Sequence, residues 1–151
     1  IEKVKEFFKK RDMADKILEF DRSSATVALA AQAIGCEEAR IAKSLAFMVG
    51  DKVVLIVVAG DARIDNKKYK EQFSTKATMV SPDEIVDLVG YPIGGVCPFD
   101  VNEDVVVYLD ESLKRFKTVY PACGSSNSAI ELSISQLEKY SKFFSWIDVG
   151  R

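Results

Sequence analysis

The chain has 151 residues, of which 48% are hydrophobic and 29% are charged, and its formal net charge is −2. This size and balance predict a single soluble domain spanning residues 1–151 with a sizeable core, and they exclude a globally basic nucleic-acid binder. No apolar run approaches the roughly 20 residues that a membrane-spanning helix needs, and no signal-peptide pattern opens the chain. We therefore expect a cytoplasmic protein with no membrane partner and no DNA partner.

The ordinary catalytic and metal-binding residues are scarce. Histidine is absent, which excludes a Ser-His-Asp triad, a Cys-His pair, an HExxH zinc site and an imidazole base. The three cysteines, Cys36, Cys97 and Cys123, lie far apart with no CxxC pair, which favours reduced thiols over disulfides or zinc. We expect no metal and no cofactor, and both Cys97 and Cys123 are interpreted as small buried hydrophobic residues.

In chain order, the hydrophobic periodicity predicts helices and strands in alternation. Helices or helical turns are predicted at 1–11, 26–34, 37–42, 66–73, 81–90, 110–114 and 135–140. Ser23-Ser24 is interpreted as an N-cap for the helix at 26–34, and Ser81 as the N-cap of the helix at 81–90. Strands are predicted at 16–20, 41–49, 53–59, 78–80, 105–109, 118–120, 129–133 and 143–149. Because β-β hairpins occur beside β-α steps, the pattern indicates an α/β fold with a mixed sheet.

Two apolar runs on either side of Gly50-Asp51 predict a central hairpin. The run 53–59 is uniformly apolar and indicates a strand buried on both faces, whereas the first run alternates. Lys43 lies in register with four apolar residues of that first run, where an ammonium group is costly. Lys43 is therefore either a functional residue or the end of the helix predicted at 37–42, with its head in water.

Basic residues cluster at two places. The helix at 1–11 has a basic face, and a second cluster at the start of the helix at 66–73 comprises Arg63, Lys67, Lys68 and Lys70. Such clusters are usually solvated, but either one is able to contact a polyanion. The loop 91–99 contains two glycines and two prolines, and adjacent glycines let backbone amides approach a ligand.

Six stretches of the chain, taken together, resemble the YbaK/EbsC family, the free-standing relatives of the editing domain in bacterial prolyl-tRNA synthetases. These ordered stretches are 23–27, 41–45, 59–68, 81–84, 90–99 and 130–132, within residues 15–140. The resemblance implies an α/β fold with a mixed, barrel-like β-sheet surrounded by helices. It also implies hydrolysis of mischarged aminoacyl-tRNA, usually tRNA(Pro) carrying a small wrong amino acid such as cysteine or alanine.

The resemblance assigns roles to particular residues. Lys43 matches the family's functional lysine, and the tRNA 3′ end is the expected partner, with prolyl-tRNA synthetase as a further candidate. The residues expected to bind the substrate are Ser44, Gly94, Gly95, Val96, Cys97, Pro98, Gly124 and Ser125. Ala122 stands where relatives often carry a polar group, which puts the amino-acid specificity in question more than the reaction.

Two functions follow from this resemblance. One is a trans-acting deacylase that uses Lys43, the loop amides and a positioned water on an already activated ester. The other is a non-catalytic module that binds aminoacyl-tRNA or a synthetase and has lost hydrolysis. The intact Lys43 and Gly94–Pro98 loop favour the deacylase.

Overall fold

The predicted central hairpin forms the middle of a curled, half-barrel sheet of six strands. The computed structural model describes all residues from Ile1 to Arg151. The strands are β1 (Ile17–Glu19), β2 (Ile41–Val49), β3 (Lys52–Ala59), β4 (Val105–Asp110), β5 (Thr118–Pro121), β6 (Ser128–Ile130), β7 (Leu132–Ser133) and β8 (Ser145–Ile147). The α-helices are α1 (Glu2–Lys9), α2 (Val27–Ile34), α3 (Asn66–Phe73), α4 (Ile85–Val89) and α5 (Ile134–Ser141).

The sheet is mixed, as the sequence predicts. Its strand order is β7-β5-β2-β3-β4-β8, and β1 pairs with β6 in a separate two-stranded sheet. β2 and β3 are antiparallel and joined at Gly50-Asp51, whereas β2 pairs in parallel with β5, and β3 with β4. The expectation of a mixed, barrel-like sheet with surrounding helices is confirmed.

The core lies around β3. Residues 53–59 are all buried, which confirms the prediction of a strand covered on both faces. Helix α1 closes one side of this core with Val4, Phe7 and Phe8, and the Phe8 ring centroid lies 5.0 Å from that of Phe99. Edge-to-face aromatic packing of this kind stabilises a pair beyond the area it buries. None of the helices is both long and apolar enough to cross a membrane.

Local capping explains where the helices begin and end. Thr26, and not Ser23 or Ser24, caps α2, because its side chain accepts a hydrogen bond from the Leu29 N–H. The helix ends at Gly35, whose φ of 84° is the left-handed conformation common at helix C-termini. α3 spans 66–73 as predicted, with the Asp65 carboxylate accepting from two backbone N–H groups of its first turn.

Four sequence predictions need correction. The helix predicted at 37–42 is only a 3₁₀ turn, Glu38–Arg40, because pairing with β3 and β5 draws residues 41 and 42 into β2. The strand at 78–80 is a single bridge between Met79 and Phe47. Ser81 does not cap a helix; its hydroxyl donates to the Glu84 carboxylate, and α4 starts after Glu84.

The fourth correction concerns 129–133. This segment is two strands, β6 and β7, which belong to different sheets and meet at Glu131. The Glu131 carboxylate accepts hydrogen bonds from Thr118 and Arg40, so the side chain is held on the β5 side of the break.

Candidate functional site

A pocket opens where the sheet is interrupted. On the edge of β2 that faces away from β3, β5 pairs with Ile41 and Ala42, and Met79 bridges to Phe47. Between these two partners the edge of β2 is uncovered, and a cavity of about 310 Å³ lies there. Its walls include the end of β5 on one side and residues 79–80 on the other.

The remaining walls come from two loops, one helix and the start of one strand. Mainly small or apolar side chains line these walls. They come from the segment before α2, from α2 itself, from the loop 91–99 (the glycine loop) and from the start of β6. These residues are Ala25, Val27, Ala30, Ile93, Gly94, Val96, Ser128 and Ala129. The pocket therefore suits a small organic group with few polar atoms.

Lys43 is the one charged residue among the pocket-lining residues. It lies within β2, so the interpretation that it ends a preceding helix is wrong. Its side chain is half-buried, and its Nζ donates to the Gly60 carbonyl oxygen at 3.4 Å. Burial lowers the pKa of Lys43 below its usual value, and the nearby Arg63 charge lowers it further, while Asp61 opposes both effects.

Gly60, which supplies this carbonyl, lies where a side chain cannot be accommodated. A Cβ at this position would lie 2.0 Å from the Glu38 carbonyl oxygen. The neighbouring Asp61 is engaged elsewhere: its carboxylate accepts a hydrogen bond from Arg115 at 3.0 Å, and that contact holds the Asp61 pKa below its ordinary value. Lys43 thus has no dedicated carboxylate partner.

The glycine loop divides into residues that face the pocket and residues that support it. Gly94, with a φ of 85°, and Val96 line the pocket, and their N–H groups donate to no acceptor within the protein. Gly95 does not line it: its N–H donates to Pro92, its carbonyl accepts from Gly124, and a Cβ there would lie 2.5 Å from the Ser125 nitrogen. The loop is therefore fastened through Gly95 to the turn at 124–125.

Four other predicted residues lie outside the pocket lining. Cys97 is fully buried, and burial raises its pKa to about 12. Pro98 is buried against a different cavity. Gly124 packs against the Tyr91 ring, and the Ser125 hydroxyl lies 2.6 Å from that of Ser128. Of the eight residues expected to bind substrate, only Ser44, Gly94 and Val96 line this pocket.

Sequence analysis missed Ser24, Met79 and Ile93. Ser24 belongs to a matching family stretch but was interpreted only as a helix cap, although it is 7% exposed and lines the pocket. Its hydroxyl and that of Ser44 are both buried without a hydrogen-bond partner. Met79 and Ile93 are each 59% exposed at the pocket, and nothing in the sequence distinguished them from core residues.

The basic cluster at the start of α3 is only partly free. Arg63, Lys67 and Lys70 are exposed. Lys68 instead donates to the Asp148 carboxylate at 3.0 Å and to the Gly150 carbonyl at 2.8 Å, so it ties α3 to the chain end. Of these residues, Arg63 carries the charge that lowers the pKa of Lys43.

The geometry defines a small pocket with one desolvated lysine, two free loop amides and unpaired hydroxyls, a set suited to a small acyl group. The model of the aminoacyl-tRNA editing domain matches residues 21–140. The chain belongs to this family, which confirms the resemblance found in the sequence.

Two sequence relatives and one solved structure illustrate the relationship. The chain is 53% identical to the uncharacterized protein YwhH of Bacillus subtilis (strain 168) over 150 residues, 99% of this chain and 96% of that protein. It is 32% identical to the proline–tRNA ligase of Listeria monocytogenes (strain EGD-e) over 73 residues, 48% of this chain and 13% of the ligase. It superposes, with a TM-score of 0.88 and 28% identity, on a candidate trans-editing enzyme for prolyl-tRNA synthetase, covering 99% of this chain and 96% of that one.

Proposed function

We propose that this protein is a trans-acting hydrolase that removes wrong amino acids from mischarged tRNA in the cytoplasm. The substrate proposed is the 3′ end of tRNA(Pro) carrying cysteine or alanine, and prolyl-tRNA synthetase is a candidate partner. The observation that carries the proposal is Lys43, held desolvated in the wall of a small apolar pocket beside the free amides of Gly94 and Val96. Membership of the editing-domain family supports the same reaction.

The chemistry needs no strong protein base, because an aminoacyl ester is already activated. In the proposed reaction a water attacks the acyl carbon, negative charge develops on the carbonyl oxygen, and the ester C–O bond then breaks. The water's oxygen stays with the amino acid, one of its protons goes to the ribose oxygen, and tRNA is released. A positioned water and preorganised donors are sufficient for such a step.

Each pocket group has a part in this proposal. The N–H groups of Gly94 and Val96 donate to the developing oxyanion. Lys43 either stabilises the same charge or holds the terminal phosphate or ribose. Since Gly95 already donates to Pro92, it is a supporting residue in this scheme and not an oxyanion donor.

The cavity volume of about 310 Å³ and its alanine-rich walls favour a small amino-acid side chain. The exposed residues Arg63, Lys67 and Lys70 are proposed to contact tRNA phosphates beside the pocket. Lys68 is proposed to contribute less to tRNA binding, because its ammonium is already paired with Asp148.

The test is a deacylation assay over tRNA(Pro) charged separately with proline, alanine, cysteine, serine and threonine. We expect rapid release of a small wrong amino acid and slow release of proline. Absence of release from every mischarged tRNA, with retained binding of the same tRNAs, would identify the non-catalytic binding module instead.

A further inference from the structure

The interruption of the sheet at Ser44 leaves a specific set of backbone groups uncovered. The Ala46 carbonyl accepts from the Val80 N–H at 3.0 Å, and the Met48 N–H donates to Thr78 at 2.8 Å. Residues 46 and 48 therefore direct their backbone groups away from β3, and every second residue of a strand does the same. By the same alternation, the carbonyl and N–H of Ser44 are directed away from β3, and Ser44 is one of the residues that line the pocket.

Neither neighbouring segment covers Ser44. The pairing with β5 ends at Ala42 opposite Pro121, and the next contact on this edge is the bridge from Phe47 to Met79. At about 3.3 Å per residue, the gap between Ala42 and Ala46 is about 13 Å long. Because protein closes it at both ends, it admits a group about the length of one or two residues, and a continuous foreign strand cannot pass through.

Two side chains point to the same conclusion independently. The hydroxyls of Ser24 and Ser44 are buried in this pocket without a partner, and Ser24 is 7% exposed. An unsatisfied buried hydroxyl is costly, and such groups are rare unless a ligand or water pairs with them. Two unpaired hydroxyls thus lie beside the strand edge, in walls that are mainly apolar.

We propose that the aminoacyl group binds at Ser44 as a one-residue addition to the sheet. An aminoacyl ester carries an amino group and a carbonyl on adjacent carbons, as a residue in a strand does. Its amino group donates to the Ser44 carbonyl and its carbonyl oxygen accepts from the Ser44 N–H, the reciprocal pair that two antiparallel residues exchange. This assignment rests on the proposed function and adds a requirement for a free α-amino group.

The main experiment compares alanyl-tRNA(Pro) with propionyl-tRNA(Pro), which lacks only the amino group. Each kcat/KM is divided by the uncatalysed rate of the same ester, because the amino group itself activates the bond. We expect the normalised value to fall about tenfold or more for the propionyl ester, as for the loss of one buried hydrogen bond. Equal normalised values would overturn the assignment.

A variant pair isolates the Ser44 N–H. Ser44→Ala removes the hydroxyl alone, whereas Ser44→Pro also removes the N–H, which is directed away from β3 and lies beyond the end of the pairing with β5. We expect Ser44→Pro to be at least about tenfold slower than Ser44→Ala. Ser135→Ala, at an exposed position on α5, is the control and is expected to equal wild type.

If Ser44→Pro does not fold, a binding measurement on the wild-type chain tests whether the aminoacyl group binds at Ser44. The probe is 3′-deoxy-3′-(alanylamino)adenosine, whose amide linkage resists ester hydrolysis, and the readout is the ¹⁵N–¹H resonance of Ser44. We expect this resonance to shift while that of Ser135 stays in place, and we expect the propionylamino analogue to bind about tenfold more weakly. An unmoved Ser44 resonance at millimolar probe, or equal affinities, would overturn the inference. A shifted resonance with no deacylation of any tRNA would overturn only the proposed function.

Discussion

The unusual residue is Lys43, whose ammonium is half-buried with a carbonyl oxygen as its hydrogen-bond partner and no dedicated carboxylate. A charge in this position does not improve stability, because desolvation costs more than one neutral acceptor returns. The proposed role in deacylation accounts for a lysine in the wall of this mainly apolar pocket.

Replacing Lys43 by alanine is expected to lower kcat/KM for deacylation by about 100-fold or more, the size found for losing one group that stabilises an oxyanion. The melting temperature is expected to stay the same or rise, because the change removes a desolvated charge. Lys52→Ala, at an exposed position on β3, is the matched control. Near wild-type turnover by Lys43→Ala would show that the site is elsewhere.

The Lys43 ammonium is also expected to titrate below its usual pKa of 10.5. NMR of its ¹³Cε resonance measures this directly. Arg63→Ala should raise the pKa and Asp61→Asn should lower it, since Arg63 disfavours the charge and Asp61 favours it. Because the folded pKa lies below the unfolded one, this group makes the protein more stable as pH rises through the folded pKa. Identical titration in all three proteins would contradict the electrostatic account.

The buried cysteine of the glycine loop is expected to have no chemical role. Cys97 is fully buried, and its pKa of about 12 leaves almost no thiolate at neutral pH. Cys97→Ser should keep its deacylation activity and lose about 1 kcal/mol of unfolding free energy. In native protein, iodoacetamide should modify the partly exposed Cys36 before Cys97. A covalent aminoacyl adduct on Cys97 would refute this expectation.

At the scale of elements, the helix α3 and the turn before it carry basic residues that differ in whether their charge is paired. Lys68 pairs with Asp148, whereas Arg63, Lys67 and Lys70 are exposed. A phosphate that binds Lys68 must compete with an existing ion pair and hydrogen bond.

We expect glutamine substitutions at Arg63, Lys67 and Lys70 each to flatten the salt dependence of tRNA binding, lowering the log–log slope by about 0.7 to 0.9. Lys68→Gln should change the slope less, because its charge is already paired. The measurement is tRNA affinity as a function of salt concentration, with Lys52→Gln as the control. Unchanged slopes in all three variants would exclude this surface.

At the scale of the whole molecule, a buried carboxylate joins the end of β4 to the end of the chain. Asp110 is 1% exposed, and it accepts from the Val149 N–H at 2.8 Å and the Ser112 N–H at 3.0 Å. The first of these bonds fixes Val149, and the carbonyl oxygen of the next residue, Gly150, accepts a hydrogen bond from Lys68. The end of the chain and α3 are therefore positioned together.

Asp110→Ala is expected to lower the free energy of unfolding by about 2 to 3 kcal/mol, because it leaves two N–H groups without their acceptor. Urea unfolding measures the change, and Asp104→Ala, at an exposed position just before β4, is expected to differ from wild type by less than about 0.5 kcal/mol. Equal midpoints for the two variants would show that Asp110 is not a structural anchor.

Sequence periodicity predicted the hairpin, the buried strand β3, helix α3 and the mixed sheet, since these depend on local patterns. It failed where pairing partners decide the structure. Residues 41 and 42 form a strand and not a helix end because β3 and β5 flank them, and 129–133 divides because its halves join different sheets.

The candidate site, like the fold, was predicted from the sequence only in part. The amino-acid sequence alone determined the family and the presence of a glycine loop, and it led to the proposed role of Lys43, because these depend on residue types in a fixed order. Only the tertiary structure decided which loop residues face the pocket, that Gly95 and Cys97 are supports, and that Ser24 and the uncovered edge of β2 belong to it. The reason is physical: whether a backbone group or hydroxyl is free depends on partners distant in sequence, and those are set only when the sheet closes.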